Sequence, residues 1–458
     1  MALGLGEGFT LILTENGNIC GFGQNDRGQL GTRTEAGIEM GPVTLQPCND
    51  FARMQPVMLA ATHRHAACVT QDGSVWTWGA PHVLGWYPIG GGTDATYTSR
   101  SPWRLRTTEF GRSNAVMVAC GMNFTVMLTA AGQVWNCGLG VNGELGHGDN
   151  ESKSTMTLLN PAHFGDRRIT LIAAGYLHTM AHTSDGNLLY TWGQDRLGGG
   201  FLGRICTLQE EAVPGIVRFA DFGGAAVASM DASESMSSVV TVDGVLWSCG
   251  NNYEHALGLP GNDKFYHFER VGGPEMFGGA PARHVACGYN NCLILAENGR
   301  VWCTGLADNV VGNENQRIRP LANYYGFHNS RVTAVACGLH HYALVRENGT
   351  VFTWGNGRHG NLCHGDQEGV NFPQLVSRTA MLGHQRVGRW HRPDPLRALA
   401  FGMGTHNRLG NDTRFAMMPS EIVRLMFREI VIVPHPHAGP GLQRLMGFPG
   451  VVDDEVPE

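Results

Sequence analysis

Several features of other protein classes are missing from this 458-residue sequence. No stretch approaches the roughly 20 apolar residues of a transmembrane helix, and the first residues lack the basic and apolar regions of a secretory signal. The 12 cysteines include no Cys-x-x-Cys pair, and no ligand cluster has the spacing of a zinc site. Cysteines within apolar phrases suggest a reducing compartment. We therefore expect an intracellular protein, nuclear or cytoplasmic, that is not secreted, crosses no membrane and binds no metal.

Catalytic signatures are also missing. The sequence contains no nucleophile elbow, Walker-type phosphate loop, His-Glu-x-x-His or kinase motif. Gly-x-Gly-x-x-Gly occurs three times, beginning at Gly138, Gly198 and Gly355, but each follows a predicted hairpin and none opens a convincing helix. A dinucleotide site is therefore not expected. The sequence predicts no catalytic residue, no cofactor and no small-molecule substrate.

Lysine is scarce, since Lys153 and Lys264 are the only two, and the formal net charge is −6. This balance does not suggest a nucleic-acid-binding surface over the whole chain. The region from 378 to 444 is nevertheless rich in arginine, whereas the tail at 453–455 is acidic. The arginines form either an ordinary solvated surface or a patch for an acidic partner, and the candidates for such a patch are Arg386, Arg389 and Arg392.

Glycine is abundant, with 64 residues, and it marks a repeat. An apolar run, a Gly turn and a second run ending in Gly recur seven times, at intervals of about 50 to 59 residues between the closing glycines. Those glycines are Gly23, Gly79, Gly138, Gly193, Gly250, Gly305 and Gly355. The intervening turns, such as Glu-Asn-Gly at Gly349, are hairpin signals because they supply positive φ.

Each unit predicts about four short antiparallel strands, and no helical periodicity is sustained within the units. Four-stranded sheets arranged radially form a β-propeller, and seven is a usual number of blades. We therefore predict an all-β, seven-bladed propeller over residues 1–402. The first unit lacks most of the apolar strand that opens the other units, and residues 396–402 have the missing form, so we expect this late strand to complete the first blade and close the ring.

The repeat resembles that of the regulator of chromosome condensation family. The resemblance rests on phrases such as Gly175-Tyr-Leu-His178, Gly338-Leu-His-His341 and Asn25-Asp-Arg-Gly-Gln-Leu-Gly31, and it covers about residues 2–402. In that family the repeated histidine has a structural role, which we expect here for His65, His178 and His341. We expect the repeated Trp78, Trp192 and Trp354 to be structural packing residues. The fifth and sixth units depart from the pattern, with Met236 and Asn291 at the histidine position.

Two stretches outside the pattern are candidates for contact with a partner. The long loop after the second hairpin carries Trp86, Tyr87, Tyr97 and Trp103, which either form an exposed contact surface or fold back on the blade. The degenerate fifth unit adds Tyr253 and His255. The C-terminal extension, 403–458, contains a predicted helix at about 419–430, which we expect to dock on the propeller, followed by the acidic tail.

The family resemblance implies several functions, because a propeller fold does not select its partner. The first hypothesis is a non-enzymatic scaffold that binds a protein partner. The second is a guanine-nucleotide exchange factor for a small Ran-like GTPase, as the founding family member is. The basic N-terminal tail with which that member contacts DNA has no counterpart here, which disfavours chromatin-bound exchange. The third, weaker hypothesis is association with chromatin or nucleic acid through the Arg-rich region.

Overall fold

The computed structural model describes residues 1–15, 17–32, 37–45, 55–80, 99–105, 113–183, 187–195, 198–206, 210–217, 222–305, 317–321 and 331–376. The chain divides into two units, Met1–Asp412 and Thr413–Glu458, and every described residue belongs to the first. The predicted helix at 419–430 and residues 396–402 lie outside the described residues. The boundary at 402/403 stays a prediction.

Seven four-stranded sheets make up the described chain, and each runs antiparallel with its strands in sequence order. Blades 1 to 4 consist of β1 Ala2–Leu5, β2 Phe9–Leu13, β3 Ile19–Gln24 and β4 Ile38–Thr44; β5 Pro56–Thr62, β6 His65–Thr70, β7 Val75–Gly79 and β8 Ser99–Arg104; β9 Ala115–Cys120, β10 Phe124–Thr129, β11 Val134–Gly138 and β12 Lys153–Leu158; and β13 Ile169–Ala174, β14 His178–Thr183, β15 Leu189–Gln194 and β16 Glu210–Val217. Blades 5 to 7 consist of β17 Val227–Ala232, β18 Met236–Thr241, β19 Leu246–Asn251 and β20 Lys264–Gly272; β21 Ala282–Cys287, β22 Cys292–Ala296, β23 Val301–Thr304 and β24 Ile318–Pro320; and β25 Val332–Cys337, β26 His341–Arg346, β27 Val351–Gly355 and β28 Val370–Leu375.

The first strands of the seven blades form a closed inner ring. Each first strand contacts the first strand of the next blade, and β25 of the last blade contacts β1 of the first. The seven-bladed propeller predicted from the sequence is therefore confirmed. Short 3-10 helices at Pro161–Phe164 and Tyr253–His255 interrupt the otherwise all-β pattern of the described chain. In the described ranges, no helix has the length and apolar character needed to cross a membrane.

The described residues complete the first blade, whereas the expected strand at 396–402 lies outside them and stays a prediction. The inner strand of the first blade is β1, which pairs with β2 from Ala2 opposite Leu13 to Leu5 opposite Thr10. Residues 396–402 are therefore not needed for the first blade to reach four strands. The sequence concealed β1 because it has only four residues, one of them a glycine. At Gly4 a side chain would meet Leu59 and Ala61 of the next blade at 3.2 Å, so a small residue suits this position.

The recurring closing glycine has a backbone role in each blade. Gly138 has φ 118°, and a Cβ placed there would lie 2.4 Å from the carbonyl oxygen of Asn123 in the adjacent strand connection. Only a residue without a side chain fits this close approach. The hairpin turns behave as predicted, with φ 80° at Gly132 and 77° at Gly349. Local backbone demands thus explain the glycine pattern that revealed the repeat.

Candidate interaction surface, interblade contacts and central channel

Two kinds of connection lie at the same end of the propeller, because the strands of each blade alternate in direction. They join the first strand to the second and the third strand to the fourth. We call this end the long-loop face. The predicted aromatic loop of blade 2 falls between β7 and β8 in the sequence. Trp86, Tyr87 and Tyr97 lie outside the described residues, so their role stays a prediction.

The repeated histidines are buried and connect neighbouring blades. His65 Nε2 lies 3.1 Å from Thr125 Oγ1, which links blades 2 and 3. His178 Nε2 lies 2.8 Å from Ser237 Oγ, which links blades 4 and 5. The Ser237 hydroxyl donates to the Phe201 carbonyl, so it accepts from the histidine. These contacts are of the structural kind that the sequence suggested.

The third histidine closes the ring. His341 Nε2 in blade 7 lies 2.9 Å from Thr10 Oγ1 in blade 1, and the Thr10 hydroxyl donates to the carbonyl of Asn361. The hydroxyl therefore accepts the histidine N–H. In blade 6 the equivalent Asn291 donates its side-chain amide to Tyr342 Oη of blade 7. The substitution that made the sixth unit look degenerate thus preserves a bond to the next blade.

Burial keeps these histidines neutral. Loss of solvation lowers the pKa of His65 and of His341 to about 3 and that of His178 to about 4. A neutral imidazole can donate from one nitrogen only, and here the interblade bond uses Nε2. At neutral pH the histidines therefore form structural hydrogen bonds between blades and are not general acids or bases of an active site.

The repeated tryptophans fill the core between blades, and all three are fully buried. Trp78 Nε1 donates to the carbonyl of Gln29 in blade 1 at 2.8 Å, and Trp192 Nε1 donates to the carbonyl of Glu144 in blade 3 at 3.0 Å. Gln29 and Glu144 each precede a Leu-Gly pair in the loop between the third and fourth strands of their blades. The Trp354 ring packs on Tyr342, with centroids 5.3 Å apart. Repeat positions therefore hold the ring together.

The predicted partner-binding residues divide into three groups. Trp103 on the outer strand β8 is 46% exposed and Tyr253 is 54% exposed, so both side chains face solvent in part. His255 is buried at 7%, which contradicts its assignment to a contact surface. It occupies the place of a turn glycine, with φ 59°, and its Nδ1 lies 3.3 Å from the carbonyl of Leu259. Arg386, Arg389 and Arg392 lie outside the described residues.

Two exposed side chains that the sequence did not single out lie in loops equivalent to the loop that carries Tyr253. Val141 in blade 3 is 54% exposed and Ile205 in blade 4 is 75% exposed. Both lie in the loop between the third and fourth strands, as Tyr253 does in blade 5. Three consecutive blades therefore present a large apolar side chain from the equivalent loop of the long-loop face. An apolar residue inside a polar loop was the available signal.

A central channel of about 290 Å³ runs inside the ring of first strands. Its rim on the long-loop face carries Glu7, His63, Tyr176, Glu234 and Tyr289. Glu7 Oε2 lies 2.9 Å from His63 Nδ1, and this contact lowers the pKa of Glu7. Burial, with Glu234 and Glu7 nearby, raises the pKa of Tyr176 to about 12.

Asp231 of β17 is the carboxyl group in the channel wall. Its Oδ2 accepts the backbone N–H of Cys287 in blade 6 at 2.8 Å. Burial raises the pKa of Asp231 to about 7, although backbone hydrogen bonds from Cys287 and Ala232 oppose the rise. Among the described residues, no group of three or more His, Cys, Asp and Glu side chains is placed to hold a metal ion.

Comparison with known proteins agrees with this architecture. A family model described as the regulator of chromosome condensation (RCC1) repeat matches residues 131–182 and 348–387, and a second of the same description matches 282–312 and 332–361. The chain therefore contains regulator of chromosome condensation (RCC1) repeats. These matches fall in blades 3, 4, 6 and 7, and the remaining blades of this RCC1-type propeller follow from the structure.

Relatives of the RCC1-type chain have different names and sizes. It is 27% identical over 388 residues to the human E3 ubiquitin-protein ligase HERC2, covering 84% of this chain but only 8% of HERC2. It is 25% identical to the ultraviolet-B receptor UVR8 of Arabidopsis thaliana, over 84% of this chain and 83% of the receptor. It is 27% identical to the guanine nucleotide exchange factor SRM1 of Saccharomyces cerevisiae, over 67% of this chain and 70% of SRM1.

A solved structure supports the fold. Prp20p from Saccharomyces cerevisiae, described with its binding to Gsp1p and histones, superposes with a TM-score of 0.64 at 20% identity. The match covers 83% of this chain and 88% of Prp20p. At this identity the likeness concerns the fold alone.

Proposed function

We propose that this RCC1-type propeller is a non-enzymatic scaffold that binds a protein partner through the long-loop face of blades 3 to 5. The observation that carries the proposal is the exposure of Val141, Ile205 and Tyr253 from equivalent loops of consecutive blades. Aromatic residues such as Tyr253 are enriched at the cores of protein interfaces, and burying exposed apolar side chains supplies binding energy. The rigid ring behind them fixes their spacing and lowers the entropy that binding costs.

The test compares two variants of the full chain. One replaces Val141, Ile205 and Tyr253 with serine, and the matched control replaces Phe372 and Leu375, exposed residues of the outer strand β28, with serine. Partners captured by the wild-type chain are identified by mass spectrometry and confirmed by a binding isotherm with the purified partner. We expect the triple variant to lose at least tenfold in affinity and the control to bind normally. Equal loss in both variants would contradict the assignment of this surface.

A second function is favoured by one comparison. The similarity to SRM1, a guanine nucleotide exchange factor, supports the hypothesis that this chain accelerates nucleotide release from a small Ran-like GTPase. Release of a fluorescent GDP analogue from a panel of such GTPases separates the two functions. A scaffold leaves the release rate unchanged, whereas an exchange factor increases it. Acceleration by catalytic amounts of the chain would replace the scaffold proposal with the exchange proposal.

We further propose an intracellular location, nuclear or cytoplasmic. The proposal is supported by the cysteines, because the eleven that the structure describes are free thiols and most are buried as small core residues. Association with chromatin or nucleic acid through Arg386, Arg389 and Arg392 remains the weakest candidate. Its test is salt-dependent DNA binding that weakens when these arginines are neutralised.

A further inference from the structure

The wall of the central channel is chemically one-sided. Blades 1, 2, 3, 4 and 7 line its inner length with small or aliphatic residues, such as Leu3, Met58 and Val335. Blades 5 and 6 instead contribute Ser229, Asp231 and His284. The channel is therefore a narrow cavity with a polar stripe that faces an apolar wall.

Asp231 interrupts a ring of very small residues. It lies two positions before the end-of-strand turn residue, Ser233, and this place in the six other blades is taken by glycine or alanine. Those residues are Gly4, Ala60, Ala119, Ala173, Ala286 and Ala336. Asp231 is therefore the one carboxyl group at this level of the described channel wall.

The surroundings of Asp231 provide hydrogen bonds but no counter-charge. Its donors are backbone N–H groups of Cys287 and Ala232. Also in the stripe, Ser229 Oγ and His284 Nδ1 lie 2.9 Å apart and form a hydrogen bond with each other. Over the described ranges, no arginine, lysine or histidine forms an ion pair with Asp231. A half-buried carboxylate in a cavity without a cation is costly, so a cationic ligand would stabilise it.

The titratable groups around Asp231 do not supply that charge. Burial lowers the pKa of His284 to about 4, so this ring is neutral near pH 7. Burial raises the pKa of Cys287 and that of Cys337, so both thiols are uncharged. At the rim, Glu234 and Tyr176 add no positive charge, and His63 is engaged by Glu7. Asp231, with its pKa raised to about 7, is partly ionised at neutral pH.

We propose that the channel binds a short alkylammonium ion, whose ammonium group pairs with Asp231 and whose alkyl chain lies against the aliphatic wall of the opposite blades. The cavity of about 290 Å³ is close to the lower end of the range for small-molecule pockets, which suits a short chain and excludes a large ligand. The group could belong to a free amine or to the lysine side chain of a partner, and both present the same chemistry to the site.

The probe is n-hexylammonium chloride, titrated into the full chain at pH 8 by isothermal calorimetry, with 1-hexanol as the uncharged analogue. We expect a Kd of about 0.1–1 mM for the ammonium ion and binding at least tenfold weaker for the alcohol. Nα-acetyl-lysine methylamide distinguishes the sources. Stronger binding of the lysine compound assigns the site to a partner's side chain, and stronger binding of hexylammonium assigns it to a free amine.

Two variants locate the site. Asp231→Asn keeps the size of the side chain and should weaken hexylammonium binding at least tenfold, while Glu347→Gln, on an exposed turn, should change nothing. Ala60→Leu enlarges a channel-lining residue of blade 2 and should also weaken binding, although the carboxyl group is intact. Circular dichroism establishes that each variant is folded. Undiminished binding to Asp231→Asn, equal binding of the alcohol, or no binding to the wild-type chain at 20 mM of probe (about twentyfold above the weakest expected Kd) would overturn the proposal.

Discussion

Replacing Asp231 with asparagine should stabilise the protein, and the gain should depend on pH. Asparagine keeps an oxygen that can accept the N–H of Cys287, so the change removes mainly the ability to carry charge. The folded-state pKa is about 7 against an ordinary value of 3.8. Between these two values the folded chain binds more protons than the unfolded chain, so the stability of the wild type falls as pH rises through this window.

The size of the effect follows from the shift. About three pKa units at 1.36 kcal/mol each give an upper limit of about 4 kcal/mol. One side of Asp231 faces the channel instead of packed protein, and solvent there screens part of the penalty, so we expect about 2 kcal/mol. The gain should be near zero at pH 4, grow between pH 4 and 7 and stay constant above pH 7.

Urea unfolding of the wild type and of Asp231→Asn at pH 4, 5, 6, 7 and 8 measures this difference. Other titrating groups, including the buried histidines, are common to both proteins and cancel when their free energies of unfolding are subtracted. Glu347→Gln serves as the control and should track the wild type at every pH. A difference between Asp231→Asn and wild type that is the same at pH 5 and pH 8 would show that Asp231 is not destabilised by its ionisation.

Three further predictions concern the interblade contacts. A double-mutant cycle of His341→Ala and Thr10→Val should show a coupling free energy of about 1 kcal/mol in urea unfolding, because the two side chains share one bond across the seam of blades 7 and 1; a coupling below about 0.3 kcal/mol would deny it a role in closure. Because burial lowers the pKa of His178 to about 4, its contribution is present above pH 6.5 and is lost as pH falls. Replacing His178 with glutamine should therefore reduce the loss of stability between pH 7 and pH 5, and an unaltered loss would contradict a neutral buried ring. Trp78→Phe should cost about 1–2 kcal/mol through the lost bond to Gln29, whereas Tyr253→Phe at an exposed position should cost under about 0.5 kcal/mol; equal melting temperatures for the two variants would refute the difference.

Local features made most of the propeller predictable. A hairpin turn needs positive φ, and a strand that crosses a neighbouring connection at close range needs a residue without a side chain, so glycines recur wherever those demands recur. Gly132 and Gly138 are examples. The histidine and tryptophan positions were predictable as structural because they repeat at the same point of each unit.

Features that depend on long-range geometry were not predictable. Ala2–Leu5 is too short and too small in its side chains to show a pattern, and its role follows only from contacts with β5 and β25. His255 lies beside exposed Tyr253 in sequence, yet its own ring is turned inward. Asp231 was visible as part of a degenerate phrase, but its place among small residues requires seven strands brought into a circle.

The self-contained first blade has a consequence for how such a ring can change. Each described blade is built from one contiguous stretch of chain, so the seam between blades 7 and 1 is held by side chains and crossed by no strand in the described chain. In the described chain, no strand is shared between two blades at any of the seven seams, so the seams differ only in the linker that crosses them. Joining the ends and opening the chain at another linker should give a circular permutant with the same blades. In genetic terms, a whole blade is a unit that can be duplicated or exchanged without dividing a sheet.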